Sequence, residues 1–245
     1  MADKNFIFGT RAVIEAVNSD KQIEKVLIVR SDDNTLHKEL LALLKKRRIY
    51  FQYVPFRKLN KITRKNHQGV VAFISPVTFF DIEEIVTRIY EEGKTPFILA
   101  LDGVTDVRNF GAAVRTAECA GVHAVLIPEK GSAAVNADAV KTSAGALLKV
   151  PVCRTRSLRE TLLKLKKNGL QIISASEKAE KNYYQTDFTK PVVLVAGSEE
   201  KGISNSIVSL SDEFVKIPLL GEIKSLNVSV AASILMYETV RQRIN

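Results

Sequence analysis

The stretch that decides the fold of this chain is Ile217-Pro218-Leu219-Leu220-Gly221-Glu222-Ile223-Lys224-Ser225-Leu226-Asn227-Val228-Ser229-Val230-Ala231-Ala232. An apolar run enters a bend marked by proline and glycine, and a helix is predicted to follow over residues 226–243. Ser225 and Asn227 lie where this helix opens, and such side chains accept hydrogen bonds from the free N–H groups of a first turn. On this stretch alone, helix capping explains both residues better than catalysis does.

A second strand-to-helix crossing lies over residues 97–120. The apolar run Phe97–Leu101 predicts a strand buried on both faces, and a polar loop leads from it into a helix that begins near Asn109. Arg115 lies above two small residues one turn earlier in this helix, which leaves room for another molecule beside its guanidinium. The alternative is a plain cap at Asn109 and a surface charge at Arg115.

A third crossing follows the predicted strand Val192–Ala196, where Gly197 and Gly202 flank Glu199. The glycines have the spacing of a phosphate-binding loop, but Ile203 stands where that motif requires lysine. We therefore predict a tight turn that lets another group approach the backbone at Gly197 and directs Glu199 into a crevice. An ordinary turn with a solvated acid is the alternative.

The order of these elements predicts the fold class. From residue 97 onward strands and helices alternate, which is typical of a parallel sheet with helices on both faces. Ligands of open sheets of this class bind at the carboxyl ends of the strands, and two of the crossings clearly lie at such ends.

The first third of the chain differs from the rest in charge. Residues 1–76 carry 15 Lys and Arg against 7 Asp and Glu, whereas residues 77–245 carry 21 against 20. A basic module joined to a near-neutral one favours binding of a nucleic acid over an anionic membrane surface, because no basic amphipathic segment carries aromatic anchors. The predicted contacts are Arg47, Arg48, Arg57, Lys58, Arg64, Lys65 and His67. The aromatic residues among them, Tyr50, Phe51, Tyr53 and Phe56, are expected to be mostly core, although one could stack on a base.

Several classes of protein do not match the composition. An apolar run of about 18 residues, as a membrane span requires, is absent from the sequence, and residues 1–5 do not lead into an apolar segment, so no signal peptide is expected. Cys119 and Cys153 are expected to be buried free thiols in a reducing cytosol, and with the three histidines they show no metal-ligand spacing. We therefore expect a cytoplasmic protein that holds no metal.

Together the three crossings resemble the TrmH/SpoU family of RNA ribose 2′-O-methyltransferases, in the SPOUT superfamily. The likeness covers residues 97–245 almost continuously. Residues 6–76, with Ile7-Phe8-Gly9-Thr10-Arg11-Ala12-Val13 and His67-Gln68-Gly69-Val70, are similar to the small RNA-binding domain of that family. The stretches 121–125 and 132–136 are most similar to the RlmB subgroup, whose members methylate guanosine in 23S rRNA.

The resemblance implies a fold and a set of roles. Residues 95–245 would form a trefoil-knotted, parallel-sheet α/β methyltransferase domain, and residues 1–76 would bind RNA. The alternating helices and strands of residues 1–76 predict a small α/β sandwich, and the breaks at Ser75-Pro76 and Gly93–Pro96 predict a linker over 77–94. S-adenosylmethionine would be held largely by backbone in the knot, and the enzyme would be a homodimer packed through the knot region, including its closing helix. The implied active-site residues are Asn109, Arg115, Glu199, Ser225 and Asn227, and the implied cofactor-binding residues are Gly197, Ile217, Leu226, Leu219 and Ala175.

The chain departs from the family pattern at two positions. Val107 stands where proline is common, and Glu200 stands where glycine is common, which would alter the turn if that position needs a positive φ. Neither departure removes a residue assigned to chemistry.

The implied reaction is methyl transfer to a ribose 2′-hydroxyl, in a guanosine of 23S rRNA or, as second candidate, in tRNA. Arg115 is expected to stay charged, to stabilise the developing alkoxide and to orient an RNA phosphate, because a guanidinium loses its proton only with great difficulty. A non-catalytic RNA-binding protein and a nucleotide-dependent enzyme are the competing classes. The intact polar set argues against the first, and the missing lysine after Gly202 argues against the second.

Overall fold

The computed structural model describes residues 6–19, 21–30 and 35–244. The stretch 1–5, on which the expectation about a signal peptide rests, lies outside them. The chain divides into two compact units, a smaller one up to Thr78 with Val135–Ala137, and a larger one formed by the remaining residues from Phe79 onward. None of the helices in the described part of the chain has the length and apolar character that a bilayer crossing requires.

The smaller unit is a mixed four-stranded sheet with helices on both faces. Its strands are β1 (Phe6–Phe8), β2 (Ile23–Ile28), β3 (Phe51–Tyr53) and β4 (Val70–Ile74), in the spatial order β1-β4-β2-β3. β4 is antiparallel to β1 and β2, and β3 is parallel to β2. Helices α1 (Thr10–Asn18) and α2 (Thr35–Lys46) pack on one face, and α3 (Phe56–Ile62) packs on the other. The predicted α/β sandwich is confirmed.

The larger unit contains a seven-stranded sheet in which every recorded pairing is parallel. The strands are β5 (Phe79–Phe80), β6 (Phe97–Asp102), β7 (Ala124–Pro128), β8 (Val152–Thr155), β9 (Gln171–Ala175), β10 (Val192–Gly197) and β11 (Glu213–Val215). Their spatial order is β11-β9-β10-β6-β7-β8-β5. These pairings confirm the predicted parallel sheet. The sequence could predict it because strands buried on both faces require continuous apolar runs.

Helices cover both faces of this sheet. They are α4 (Ile82–Glu91), α5 (Val107–Cys119), α6 (Ala137–Thr142), α7 (Leu158–Lys167), α8 (Asn205–Val208) and α9 (Val228–Arg243), with short 3₁₀ helices at Ala146–Leu148 and Tyr183–Gln185. α4, α7 and α8 bury their apolar residues against alternate side chains of the strands, such as Ile98 and Val193. α9 packs on β10 and against α5.

The segment 77–94, which we expected to be a linker, forms β5 and α4 of the larger unit. β5 pairs with β8 at the edge of the sheet, and α4 buries Ile82, Ile85 and Ile89 in the core. The acidic side chains that gave the segment its linker-like composition lie on the solvent side of an amphipathic helix. The boundary between the two units therefore falls near Thr78.

The last turn of α9 is held near the amino ends of the strands, whereas its first residue lies at their carboxyl ends. Arg243 donates hydrogen bonds of 2.7 to 3.1 Å to the carbonyl oxygens of Thr95, Pro96, Phe188 and Lys190. Burial lowers the pKa of this guanidinium from its usual value. These bonds anchor α9 beside the amino ends of β6 and β10, so the start of the helix is held at the carboxyl ends of the same strands.

The two cysteines differ in exposure. Cys153 is buried as expected, whereas Cys119 is exposed at the end of α5, contrary to expectation. Burial, with a smaller contribution from the charge of Asp81, raises the pKa of the Cys153 thiol to about 12.

We expect one thiol of the native protein to react with Ellman's reagent at about pH 8, because only an exposed thiol supplies accessible thiolate at that pH. Both should react after denaturation, as counted from the absorbance of released thionitrobenzoate. Two fast-reacting thiols in the native protein would contradict the buried position of Cys153.

Candidate active site

The loops that follow β11, β9, β10 and β6 meet at one edge of the larger sheet. These four strands are neighbours and parallel, so their carboxyl ends lie side by side. Gly197 at the end of β10 pairs with Asp102 at the end of β6, and Ala175 at the end of β9 pairs with Val215. The three predicted crossings are concentrated at this edge.

The turn after β10 folds back so that its own backbone packs against the end of the strand. A Cβ atom at Gly197 would lie 2.2 Å from the carbonyl carbon of Gly202, so only glycine lets the turn fold back over the strand end. Ser198 and Gly202 exchange backbone hydrogen bonds of 3.1 and 2.8 Å, and Gly202 has a φ of +64°. The predicted tight turn is confirmed, and the group that approaches Gly197 is the backbone five residues later.

Both departures from the family pattern are accommodated locally. Glu200 has a φ outside the left-handed region, so the turn accepts a side chain there without strain. Val107 is the first residue of α5, a position where proline is favoured because its missing N–H is not needed. Asp106 caps the same helix, since its Oδ1 accepts hydrogen bonds of 2.8 Å from the backbone N–H groups of Arg108 and Asn109.

Of the three residues considered as helix caps from the sequence, the structure confirms Asn227 and rejects Asn109 and Ser225. Asn109 is not the cap of α5 but its third residue, so its side chain does not serve the helix end. α9 begins at Val228 rather than near residue 226, and Asn227 is its cap, with Oδ1 accepting a 3.0 Å bond from the N–H of Ser229. Ser225 lies before the helix in an exposed segment and caps nothing.

The side chains of Asn109, Glu199 and Asn227 form one hydrogen-bonded group, the Glu199 cluster. Glu199 Oε1 accepts hydrogen bonds from Asn109 Nδ2, at 3.0 Å, and from Asn227 Nδ2. Asn227 Nδ2 also donates to Asn109 Oδ1 at 2.9 Å. Glu199 Oε2 has no hydrogen bond to any residue that the structure describes, so it can accept one from a ligand.

A first cavity of about 450 Å³ lies above the ends of β11, β9 and β10. All five residues predicted to bind a cofactor belong to its wall: Ala175, Gly197, Ile217, Leu219 and Leu226. Ser225 and Glu199 line it too, together with Lys178 and Lys224, which the sequence analysis did not single out. The cavity thus combines apolar side chains with backbone and a few charges, as small-molecule sites do.

A second cavity of about 390 Å³ lies above the ends of β10 and β6. Asn109 and Glu199 line it, and Glu199 and Val228 belong to the walls of both cavities. Thr105, Asp106 and Lys201 also line it and were missed by the sequence analysis. Their position close to Asn109 and Glu199 in the chain was the available signal, but many other polar residues lie equally close in the sequence.

Arg115 lies apart from the Glu199 cluster within the described chain. It is exposed on α5 and belongs to the wall of neither cavity. It follows Asn109 by six residues, which corresponds to about 9 Å along the helix and about 240° around it. The fold therefore brings the other four predicted catalytic residues together at the carboxyl ends of the strands. Within one chain, Arg115 does not lie with them.

Six of the seven residues predicted to contact RNA are exposed: Arg47, Arg48, Arg57, Lys58, Arg64 and Lys65. His67 is only 3% exposed, so the prediction of a direct RNA contact by its side chain was wrong. Its Nδ1 accepts a 3.0 Å bond from the N–H of Gly69, and its Nε2 lies 2.9 Å from Asn60 Oδ1. Both ring nitrogens thus hold the turn before β4.

Comparison with known proteins shows the family. Residues 96–237 match the SpoU rRNA Methylase family, and residues 6–80 match a family described as RNA 2'-O ribose methyltransferase substrate binding. The protein YacO of Bacillus subtilis (strain 168), named as a TrmH family tRNA/rRNA methyltransferase, is 33% identical over 239 residues, which cover 98% of this chain and 96% of YacO. The chain belongs to the SpoU rRNA methylase family.

Two further matches support this membership of the SpoU family. A TrmH family tRNA/rRNA methyltransferase of Staphylococcus saprophyticus is 36% identical, over 97% of this chain and 95% of that protein. The SpoU methyltransferase AviRb of Streptomyces viridochromogenes, crystallised with the cofactor AdoMet, superposes with a TM-score of 0.62 at 26% identity, covering 98% of this chain and 90% of AviRb. The protein is thus an RNA methyltransferase of the TrmH/SpoU family with the SPOUT fold, and the methyl donor of that family is S-adenosylmethionine.

Proposed function

We propose that this protein methylates a ribose 2′-hydroxyl of structured RNA, with a guanosine of 23S rRNA as the favoured target. The observation that carries the proposal is the Glu199 cluster, which lies between a cavity suited to the methyl donor and a second cavity of about 390 Å³ beside it. tRNA is the second candidate, because the names of the B. subtilis and S. saprophyticus relatives include both RNAs. With either RNA the place of action is the cytoplasm.

The residues of the first cavity fit S-adenosylmethionine. The half-exposed apolar side chains of Ile217, Leu219 and Leu226 suit the adenine ring, and the strand ends at Ala175 and Gly197 offer backbone groups. Lys178 and Lys224 supply cations for the carboxylate of the methionine moiety. When bound, the cofactor supplies an activated methyl group on its sulfonium.

The Glu199 cluster serves to orient the ribose. The amides of Asn109 and Asn227 hold Glu199 Oε1, which leaves Oε2 free to accept a hydrogen bond from a ribose hydroxyl in the second cavity. Asn227 is itself fixed as the cap of α9, so its position depends on a packed helix rather than on a mobile loop. Ser225 borders the first cavity and would position the donor.

Arg115 completes the site from a second protomer in this proposal. Its guanidinium is exposed on α5, whose next residue, Thr116, accepts a 2.9 Å hydrogen bond from Ser233 of α9. α9 exposes Val230 and Tyr237, and these apolar side chains are available for a homodimer contact. A charged Arg115 arriving across that contact would stabilise the developing alkoxide and orient an RNA phosphate. The trefoil knot implied by the family stays a prediction.

We further propose that the smaller unit delivers RNA and the larger unit carries out the transfer. Deleting residues 1–76 is expected to lower RNA affinity by about 100-fold or more, because it removes most of the phosphate-binding cations. The cut leaves β5 and α4 in place, so S-adenosylmethionine should bind the truncated protein as it binds the full chain. Filter binding with rRNA fragments and calorimetric titration with the cofactor measure the two quantities. Unchanged RNA affinity would contradict the division of roles.

The proposed reaction is tested by mapping 2′-O-methylation in RNA from a strain that lacks this protein. Loss of one methylated guanosine in 23S rRNA, restored by the wild-type chain and not by a variant of Glu199, is the expected result. Loss in tRNA alone would select the second candidate. An unchanged methylation map, together with no calorimetric binding of S-adenosylmethionine, would favour a non-catalytic RNA-binding protein.

A further inference from the structure

The smaller unit exposes two aromatic rings at the junction of β3 and α3. Phe56, the first residue of α3, is 53% exposed, and Tyr53, the last residue of β3, is 42% exposed. The neighbouring rings of Tyr50 and Phe51 are half-buried, and Phe51 packs against the core of the unit. Phe51 is therefore directed toward the core, whereas Tyr53 and Phe56 face solvent.

The ring of Phe56 is held in place from one side. It packs on the imidazole of His67 with 4.8 Å between ring centroids. His67 cannot turn away, because both of its nitrogens are engaged, with Asn60 and with the backbone of Gly69. Phe56 is thus an aromatic ring backed by a fixed partner and half open to solvent, an arrangement that offers a flat apolar surface with little conformational freedom to lose.

Tyr53 is restrained in a similar way. The guanidinium carbon of Arg30 lies 5.1 Å from its ring centroid, and the ring of Phe51 meets it edge-on at 5.8 Å and 86°. A guanidinium beside an exposed ring can bind a phosphate while the ring contacts the attached base.

The stretch of sequence that carries both rings is cationic. Residues 40–80 contain nine Lys and Arg and no Asp or Glu. On α3 itself Arg57, Lys58 and Lys61 are exposed beside Phe56. A partner for this surface must carry many negative charges and also present flat faces to the rings. Unpaired nucleotides meet both requirements, whereas a fully paired RNA shows phosphates but keeps its base faces stacked inside the helix.

We propose that Phe56, backed by His67, is a stacking platform for an unpaired base of the RNA substrate, with Tyr53 and Arg30 as a second, separate contact. The smaller unit then selects RNA with an unpaired loop over continuous duplex, and the lysines and arginines supply affinity for the backbone without that selection. This inference rests on the proposed function only in taking RNA as the partner, and it requires no methyl transfer.

The test compares two RNA probes on the full-length protein. One is a hairpin of about 24 nucleotides with an unpaired loop, and the other is a duplex with the same number of phosphates. Phe56→Ala and Phe56→Leu are expected to weaken hairpin binding about ten-fold, measured by fluorescence anisotropy, and to leave duplex binding unchanged. Phe56→Trp should bind like the wild type, because it keeps an aromatic face.

Two control variants separate stacking from charge and from general damage. Arg57→Gln with Lys58→Gln should weaken both probes alike and reduce the salt dependence of binding, which Phe56→Leu should leave unchanged. Tyr184→Ala removes a ring of the larger unit that is also 53% exposed and should affect neither probe.

Equal loss on both probes in Phe56→Leu, or hairpin binding like the wild type in Phe56→Ala, would overturn the proposal. A drop in the sedimenting mass of Phe56→Ala with hairpin binding intact would overturn it too, since Phe56 would then contact another copy of the chain. Because binding alone is measured, selective loss of the hairpin would stand even if no ribose were methylated, and failure of the mapping experiment would leave it intact.

Discussion

Replacing Arg115 by alanine is expected to lower the rate of methyl transfer by about 10²- to 10³-fold or more, the loss seen when a group that stabilises a developing oxyanion is removed. The variant should fold normally, because Arg115 is exposed on α5 and alanine favours helix. Cofactor affinity should not change, because Arg115 does not line the first cavity. Single-turnover transfer of a labelled methyl group and calorimetry measure the two effects.

A mixing experiment decides which protomer supplies Arg115. Arg115→Ala and Glu199→Gln are each expected to be inactive as pure proteins. If Arg115 acts across the dimer, random mixing of the two variants restores about a quarter of wild-type activity, since half of the dimers then hold one intact site. If it acts within its own chain, the mixture stays inactive. Arg159→Ala, which removes an exposed arginine from α7, is the matched control and should be fully active. Wild-type turnover by Arg115→Ala would reject the role altogether.

Replacing Gly197 by alanine is expected to weaken cofactor binding strongly and to destabilise the larger unit. The new Cβ would lie 2.2 to 2.4 Å from the carbonyl group of Gly202 and the nitrogen of Ile203, all of them backbone atoms that a side-chain rotation cannot move. The turn must then leave the strand end and take Glu199 with it. We expect S-adenosylmethionine affinity to fall about 100-fold or more and the free energy of unfolding to fall by about 2–4 kcal/mol.

Gly221→Ala is the matched control for this substitution. It adds the same methyl group to a loop beside the same cavity, where a Cβ would meet no atom within 4 Å. Cofactor affinity and the urea unfolding midpoint should stay at the wild-type values. Equal effects of the two substitutions would mean that the turn at Gly197 is not what shapes the cavity.

Much of the fold could be predicted because its signals are local. The strands predicted over Phe97–Leu101 and Val192–Ala196 are observed over Phe97–Asp102 and Val192–Gly197, because each is a continuous apolar run that ends at a polar residue or a glycine. The linker was misassigned for a related reason. Turn residues bound the segment on both sides, at 75–76 and 93–96, and its acidic side chains favour exposure, although Ile82, Ile85 and Ile89 at helical spacing bury one face of α4 in the core.

The candidate site was predictable to a lesser degree. Glycine at 197 and the polar residues at 109, 199 and 227 stand out at strand and helix ends, where few residue types are tolerated. His67 was misassigned because its basic neighbours are exposed, whereas its own ring is enclosed by the turn that it holds. Burial of one side chain within a cationic stretch is not visible in composition.

The sequence by itself determined a parallel sheet and the positions of its strand-to-helix crossings, because buried strands require apolar runs and sharp turns require glycine. Only the tertiary structure decided that Asn109 meets Glu199, 90 positions away, and Asn227, 118 positions away, while Arg115 on the same helix as Asn109 meets neither. Such contacts depend on the order of strands in the sheet and on which side of a helix a residue lies, and both are set by long-range packing.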